Sequence, residues 1–388
     1  MIIVKKELNS FNPGRLKEAR LARGMTITDL AEKAYVSKQA ISQYELGQAI
    51  PRAETLMYIV NTLDFPKTYF YGYDEEDAVG NTFFRASSTT SQKLKEMQRI
   101  RVKWVSKIHS YLEGFIGFPE LNLPDISAFE YREWDIDTIE ELAIITRNYW
   151  GLGDSPISNM VHLLELNGIV VSSLDIYNNK IDAFSQRRKK RTIVVLGNDK
   201  RAAVRRNFDC AHELGHLLMH HHIIDDQEQL TKEEFKRMEA QADRFASAFL
   251  LPESSFIDTV VSTKLEHFKE LKKYWKVSMQ AMIRRCYDLG YLSDNQYTYL
   301  NKQMSARKMK TKEPLDDVIK VPTPTVLNRA VEMILENQIK TGEEIVQELQ
   351  LPQKDIEMLA NLETGRLNPT NKIKEQVINL NLRTENYM

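Results

Sequence analysis

The sequence predicts a mainly α fold with a small β-sheet, an α+β protein of several domains. Three observations carry that expectation. The chain has 388 residues, too many for one compact core, so two to four domains are expected. Helical spacing of apolar residues and helix caps recur over most of its length. β-Branched runs are confined to a short stretch between about residues 168 and 198.

The elements follow in order. Residues 14–63 read as short helices with turns at Gly24, Gly47 and Pro51. Thr26 can cap a helix holding Leu30 and Ala31, and after the turn AYVS, Ser37 can cap the next. That next helix, KQAISQYE, is expected to present Lys38, Gln39, Ser42 and Gln43 outward and Ile41 inward. A long mixed helix follows in SQKLKEMQRIRVKWVSKIHSYLEGF, whose apolar spacing points to packing. GFPELNLPDI, with Pro119 and Pro124, suits a boundary. Another helix runs from about Asp137 to Trp150, and Asp154-Ser155-Pro156 opens one that ends at Gly168. GIVVSSLDI (168–176) and TIVVLGN (192–198) read as strands, with DAFSQ (182–186) a third. From Lys200 to Glu253 the chain is helical again, and 265–388 is almost wholly so, punctuated by Pro314, Pro322, Pro324 and Pro352. No internal repeat or low-complexity tract is evident.

Composition narrows the function classes. A hydrophobic fraction of 42% is ordinary for a soluble globular protein, and no apolar run is long enough to cross a bilayer. The opening MIIVKKELNS has too short an apolar stretch for a secretory signal. Two cysteines, Cys210 and Cys286, make no disulfide framework, so a cytoplasmic location is expected. Net charge is −1, yet between Asn12 and Arg52 seven Lys/Arg face four acids, the sign needed to touch phosphates. RRKKR (187–191) lies beside a strand and is either a solvated loop or a site for an acidic partner.

Chemistry concentrates in FDCAHELGHLLMHHH (208–222), which holds five of the eight histidines. Residues four apart share a helix face, so His212 and His216 can aim two imidazoles at one ion. Glu213 lies beside the first of them as a candidate general base, completing HExxH. Two residues compete as third ligand. His222 has the spacing of HExxHxxGxxH, but Met219 stands where that motif needs a turning glycine. Glu239, in EAQADRFASAFLLP (239–252), would complete a His, His, Glu set with an open position, and is favoured. Asp243, four residues on, can then fix a histidine tautomer from behind. Ala242 and Ala246 keep that helix face small. The plain alternative is a solvated acidic face beside a Phe245/Phe249 core stripe. His220 is a weak candidate oxyanion donor, and His220 to His222 otherwise read as the exposed helix end. TIVVLGN could offer an edge to which an extended peptide adds.

HELGH followed by ExxAD-x-FA-x-x-LLP resembles the ImmA/IrrE family of gluzincin-type metallopeptidases. ITRNYWGLGDSPI (145–157), LLELNGIVV (163–171), IDAFS (181–185), RRNFDCAHELGH (205–216), KVSMQAMIRRCYDLGYL (276–292) and Glu313-Pro314 agree with it. The resemblance implies a zinc peptidase that cleaves a helix-turn-helix repressor, with His212, His216 and Glu239 as zinc ligands and Glu213 as base. Asp209 departs from the family, standing where a small hydroxyl residue is commoner.

Residues 16–65 resemble a Cro/CI-type (XRE) helix-turn-helix domain. The resemblance implies a double-stranded DNA operator as partner and a structural ion pair between Arg20 and Glu45. Ile27 departs from it, replacing a glutamine that opens the motif's first helix. In such a helix Gln reads adenine and Lys reads guanine, which gives Lys38, Gln39, Ser42 and Gln43 as DNA contacts. The expected organisation is a helix-turn-helix domain over 1–73, a helical linker over 74–135, a zincin-like peptidase domain over 136–262 and a helical region over 263–388. The expected function is a DNA-binding regulator whose zinc endopeptidase cleaves a repressor or antitoxin-like protein. The alternative is a regulator or antitoxin whose peptidase-like domain binds a partner without cutting it. No membrane partner is expected, and homodimerisation through the tail helices stays open.

Overall fold

The computed structural model describes residues 10–72, 79–86, 92–129, 133–174, 181–188, 191–197, 202–220 and 230–369. The N-terminal unit packs four short helices: α1 (Pro13–Ala22), α2 (Ile27–Lys33), α3 (Lys38–Glu45) and α4 (Ala53–Leu63). Local capping sets their limits. The Thr26 hydroxyl accepts from Asp29 N while the Asp29 carboxylate accepts from Thr26 N, a reciprocal box that starts α2. Ser37 accepts from Ala40 N and starts α3. Between them Tyr35 takes a left-handed φ of 56°, which turns the chain within three residues. Leu30, Ile41 and Ile59 are wholly buried where these helices meet.

Four strands form one sheet in the order β1 (Val79–Ala86), β3 (Ile181–Arg188), β4 (Arg191–Gly197), β2 (Ile169–Leu174). β2 and β4 run parallel; β3 pairs antiparallel with β4 on one side and β1 on the other. Both faces are covered, which is why β4 reads as a continuous apolar run with no alternation. Ile193, Val195, Val170, Leu174 and Phe184 face a core shared with the N-terminal unit and the long helix α5 (Gln92–Leu112). Val194, Leu196, Ile169, Val171 and Ala183 face a second core. That core is built from α6 (Ile136–Tyr149), α7 (Met160–Leu166), α8 (Ala203–Met219), α9 (Lys232–Leu250), α10 (Glu253–Thr259), α11 (Leu265–Trp275), α12 (Met279–Asp288) and α13 (Asp294–Ala306). Three further helices, α14 (Val326–Glu336), α15 (Gly342–Leu349) and α16 (Gln353–Leu359), close the first core against α5 and β2.

Gly168 shows how tightly the sheet is mounted. Its φ is +74°, and a Cβ there would lie 2.2 Å from Glu120 O, so only glycine fits between α7 and β2. The crossing segment is held by Asn122 N donating to Asn167 O at 3.0 Å.

The sequence places the three strands of 168–198 correctly, although residues 175–176 and 198 lie outside the described residues. Other expectations change. TIVVLGN is not an edge: β4 pairs with β2 on one side and β3 on the other, and the strand from 79–86 extends the sheet beyond β3. That strand falls in a stretch left to the helical linker. Asp154-Ser155-Pro156 starts no helix; Asn159 caps α7 by accepting from His162 N, and 154–158 forms turns. The segment from 307 to 325 is likewise not helical. In RRKKR, residues 189–190 lie outside the described residues, and the Arg191 guanidinium meets Ser110 of α5 and Glu113 just beyond that helix.

Candidate metal centre

The centre lies where α8 crosses α9. Helix α8 is buried almost throughout, its Cys210, Ala211, Leu214 and Leu218 in the second core. Asn207 fastens it to α7, its side-chain oxygen accepting from Met160 N at 3.1 Å. Helix α9 starts at a capping box between Thr231 and Glu234 and packs Ala242, Phe245, Ala246 and Phe249 inward. Gly215 lets the two helices touch: a Cβ there would meet Phe245 at 3.1 Å and the Ala242 Cα at 3.3 Å. The glycine inside HELGH and the alanines of α9 therefore set the spacing between the two sets of polar side chains.

Three side chains converge. The Nε2 atoms of His212 and His216 are 3.0 Å apart, and Glu239 oxygens lie 3.6 Å and 3.2 Å from them. All three donors fall within 4.8 Å of one another. Ligands bound at ~2.0–2.1 Å to a tetrahedral ion stand ~3.4 Å apart, so the spread of these donors suits zinc. Both imidazoles are buried, with Glu239 one-quarter exposed at the open side.

The surrounding groups orient the imidazoles. Asp243 Oδ1 is 2.7 Å from His212 Nδ1, so a carboxylate holds the proton on that nitrogen and leaves Nε2 with its lone pair. His216 Nδ1 is 2.9 Å from His220 Nδ1, His220 Nε2 is 2.9 Å from Gln241 Oε1, and Gln241 Nε2 donates to Trp134 O at 3.0 Å. One set of tautomers satisfies that whole chain: His216 donates to His220, and His220 donates to Gln241. Both Nε2 lone pairs then point at the same spot, where a cation would satisfy them together with Glu239.

The predicted site residues are thus distributed as follows. His212, His216, Glu239 and Asp243 meet in one cluster. Glu213 sits beside them on α8 and is wholly buried. His220 is not an exposed helix end: it is 1% exposed and behind His216. His221 and His222 lie outside the described residues. His220 could have been found from its spacing, since it continues the i, i+4 series of His212 and His216; Gln241 and Trp134 carry no sequence signal. Cys210 and Cys286 are buried free thiols, and burial pushes their ionisation upward, Cys286 to about 12. Neither is a candidate thiolate.

A cleft of about 960 Å³ adjoins the centre, walled by α8, α9, α12 and residues 310–316. Asp209, Gln241, Asp243, Arg244 and Arg284 line it, so Asp243 faces both His212 and the open space. Arg147, buried behind, ties the α6 turn to α9 by donating to Gly153, Ser155 and Phe249 carbonyls.

At the N-terminal unit, Arg20 grips Glu45 through two nitrogens, at 2.6 and 2.8 Å, fixing α1 to α3. Lys38 and Gln39 are exposed on α3, Ser42 and Gln43 half-buried, and Ile41 faces the core.

Two family models match separate parts of the chain. Residues 164–287 match the family model described as Peptidase_M78, IrrE N-terminal-like domain. Residues 16–70 match the model described as HTH_3, helix-turn-helix. No curated protein matches the chain. Among solved structures, that of Bacillus thuringiensis PlcR in complex with the peptide PapR7 and DNA is 13% identical, over 89% of this chain and 90% of that one. Its TM-score is 0.15, too low to carry an argument.

Proposed function

We propose that this chain is a DNA-binding regulator with a zinc-dependent endopeptidase domain, and that its substrate is a repressor or antitoxin-like protein. The observation that carries the peptidase half is the convergence of His212, His216 and Glu239, with the tautomers of both histidines set from behind. His212, His216 and Glu239 would hold the zinc. Bound there, zinc supplies an acidified water and a polarised carbonyl. Glu213 accepts a proton at its carboxylate and returns it to the leaving amine. Asp243 keeps the His212 proton on Nδ1 and so maintains the ligand's orientation.

The DNA half rests on the helix-turn-helix match and on the exposure of α3. Lys38 and Gln39 stand free to enter a major groove, with Ser42 and Gln43 beside them. The test is incubation of the zinc-loaded chain with the proteins encoded by neighbouring genes, alongside Glu213→Gln. Cleavage of one of them by the unaltered chain, lost in Glu213→Gln, is expected. Stable binding of that protein with no cleavage would favour a sensor over an enzyme.

A further inference from the structure

No repeat is evident in the sequence alone, yet the structure reveals one: the helix-turn-helix unit recurs at the C-terminal end. Thr26 and Thr341 each start a helix through a reciprocal box with the acid three residues on, Asp29 and Glu344. From that anchor a constant step carries Leu30 to Ile345, Ala34 to Leu349 and Ile41 to Ile356, all of them at most 1% exposed. The same step carries Tyr35 to Gln350, and both take left-handed φ, 56° and 55°. The preceding turn also returns. Gly24 N and Met25 N donate to Leu21 O and Arg20 O, as Gln338 N and Ile339 N donate to Leu335 O and Ile334 O. Beyond α3 the pattern Gly47-Gln-Ala-Ile-Pro51 reappears after α16 as Gly365-Arg-Leu-Asn-Pro369, with both glycines left-handed. The sequences share few identities, and three residues are inserted before Gly365, which conceals the repeat from inspection.

The two copies differ in what their second helix faces. Lys38, Gln39, Ser42 and Gln43 of α3 correspond to Gln353, Lys354, Glu357 and Met358 of α16. Asp355 and Glu357 are buried. Asp355 takes both terminal nitrogens of Arg23, the residue that caps the end of α1, at 3.1 and 2.8 Å. Glu357 accepts from Gly365 N and Leu367 N. On the opposite side, Ser172 Oγ of β2 donates to Leu359 O at 2.8 Å, and Ser173 meets Asn361. Two carboxylates on α16 also have the wrong sign for phosphate.

We propose that residues 326–369 are a second helix-turn-helix unit whose reading helix is turned inward, where it mounts the N-terminal unit on the sheet of the metal domain. Its partner is the first unit of the same chain, and DNA reading is left to α3. The mounting claim stands on the contacts above; the division of DNA reading rests on the DNA half of the proposed function.

The test uses the full chain. Arg23→Glu and Asp355→Arg, singly, should loosen the N-terminal unit, seen as an earlier melting transition and faster proteolysis within residues 10–72. Combining the two should cost clearly less than the two singles added together, since the ion pair is restored with its charges exchanged while the Arg23 bonds to the Leu63 and Asp64 carbonyls stay lost. Singles that melt like the unaltered chain, or a pair as costly as the two singles added together, would overturn the mount. A second arm measures binding to a duplex of about 30 base pairs and arbitrary sequence at low salt, where phosphate contacts dominate. Lys38→Ala should weaken binding several-fold and Lys354→Ala should leave it unchanged; equal losses would make α16 a DNA-reading helix and end the proposal. If the unaltered chain fails to bind the duplex, the DNA reading falls, and the charge exchange still decides the mount.

Discussion

At the residue scale the centre depends on groups that touch no ion. Asp243 orients His212 directly, but His216 is oriented at one remove, through His220 to Gln241 and on to the Trp134 carbonyl. Replacing Gln241 by Ala leaves every ligand in place and removes the amide that accepts from His220 Nε2 and donates to the Trp134 carbonyl. His220 is then free to change tautomer, and the His216 lone pair is no longer held on Nε2. Outer partners of metal histidines are typically worth about 10–100-fold in metal affinity. Gln241→Ala should therefore lower zinc affinity by about tenfold in a chelator competition, with the melting temperature of the metal-free protein little changed. Unaltered affinity would mean that His216 is held by its packing alone. This layer was the least legible in the sequence: HExxH and the carboxylate pair are periodic and so announce themselves, whereas Gln241 is an ordinary amide until the fold brings α8 against α9.

At the element scale the decisive contact is the crossing of α8 and α9, set by Gly215, Ala242 and Phe245. The sequence shows why that face of α9 is small, and its helix periods and caps place α2, α3 and α6 to within a turn. What it hides are features created by pairing between distant segments. β1 is recognisable only once β3 offers it a partner, and the interior position of β4 follows from pairing with β2 on one side and β3 on the other. The C-terminal repeat is hidden for a similar reason, since it is conserved in caps, turns and buried positions more than in residue identity. Gly215→Ala tests the crossing. The added methyl would press on Phe245 at 3.1 Å and push the helices apart, separating Glu239 from the histidines. The expected result is a protein that folds with a modestly lower melting temperature and binds zinc at least about tenfold more weakly. Wild-type zinc affinity in a folded Gly215→Ala protein would show that the spacing has slack.

At the scale of the whole molecule the sheet is the common wall of two cores. One core holds the metal helices; the other joins the N-terminal unit, α5 and the C-terminal copy. Helix α3 and the candidate metal centre are therefore parts of one packed body, linked through Arg23 at the end of α1, α16 and β2. The central claim is that α8 and α9 together make a zinc site, and the metal content of the purified chain tests it most directly. About one zinc per chain is predicted for the unaltered protein, with loss of nearly all of it in Glu239→Ala. Full zinc retention by Glu239→Ala, or a folded unaltered chain that takes up none when zinc is supplied, would contradict the account.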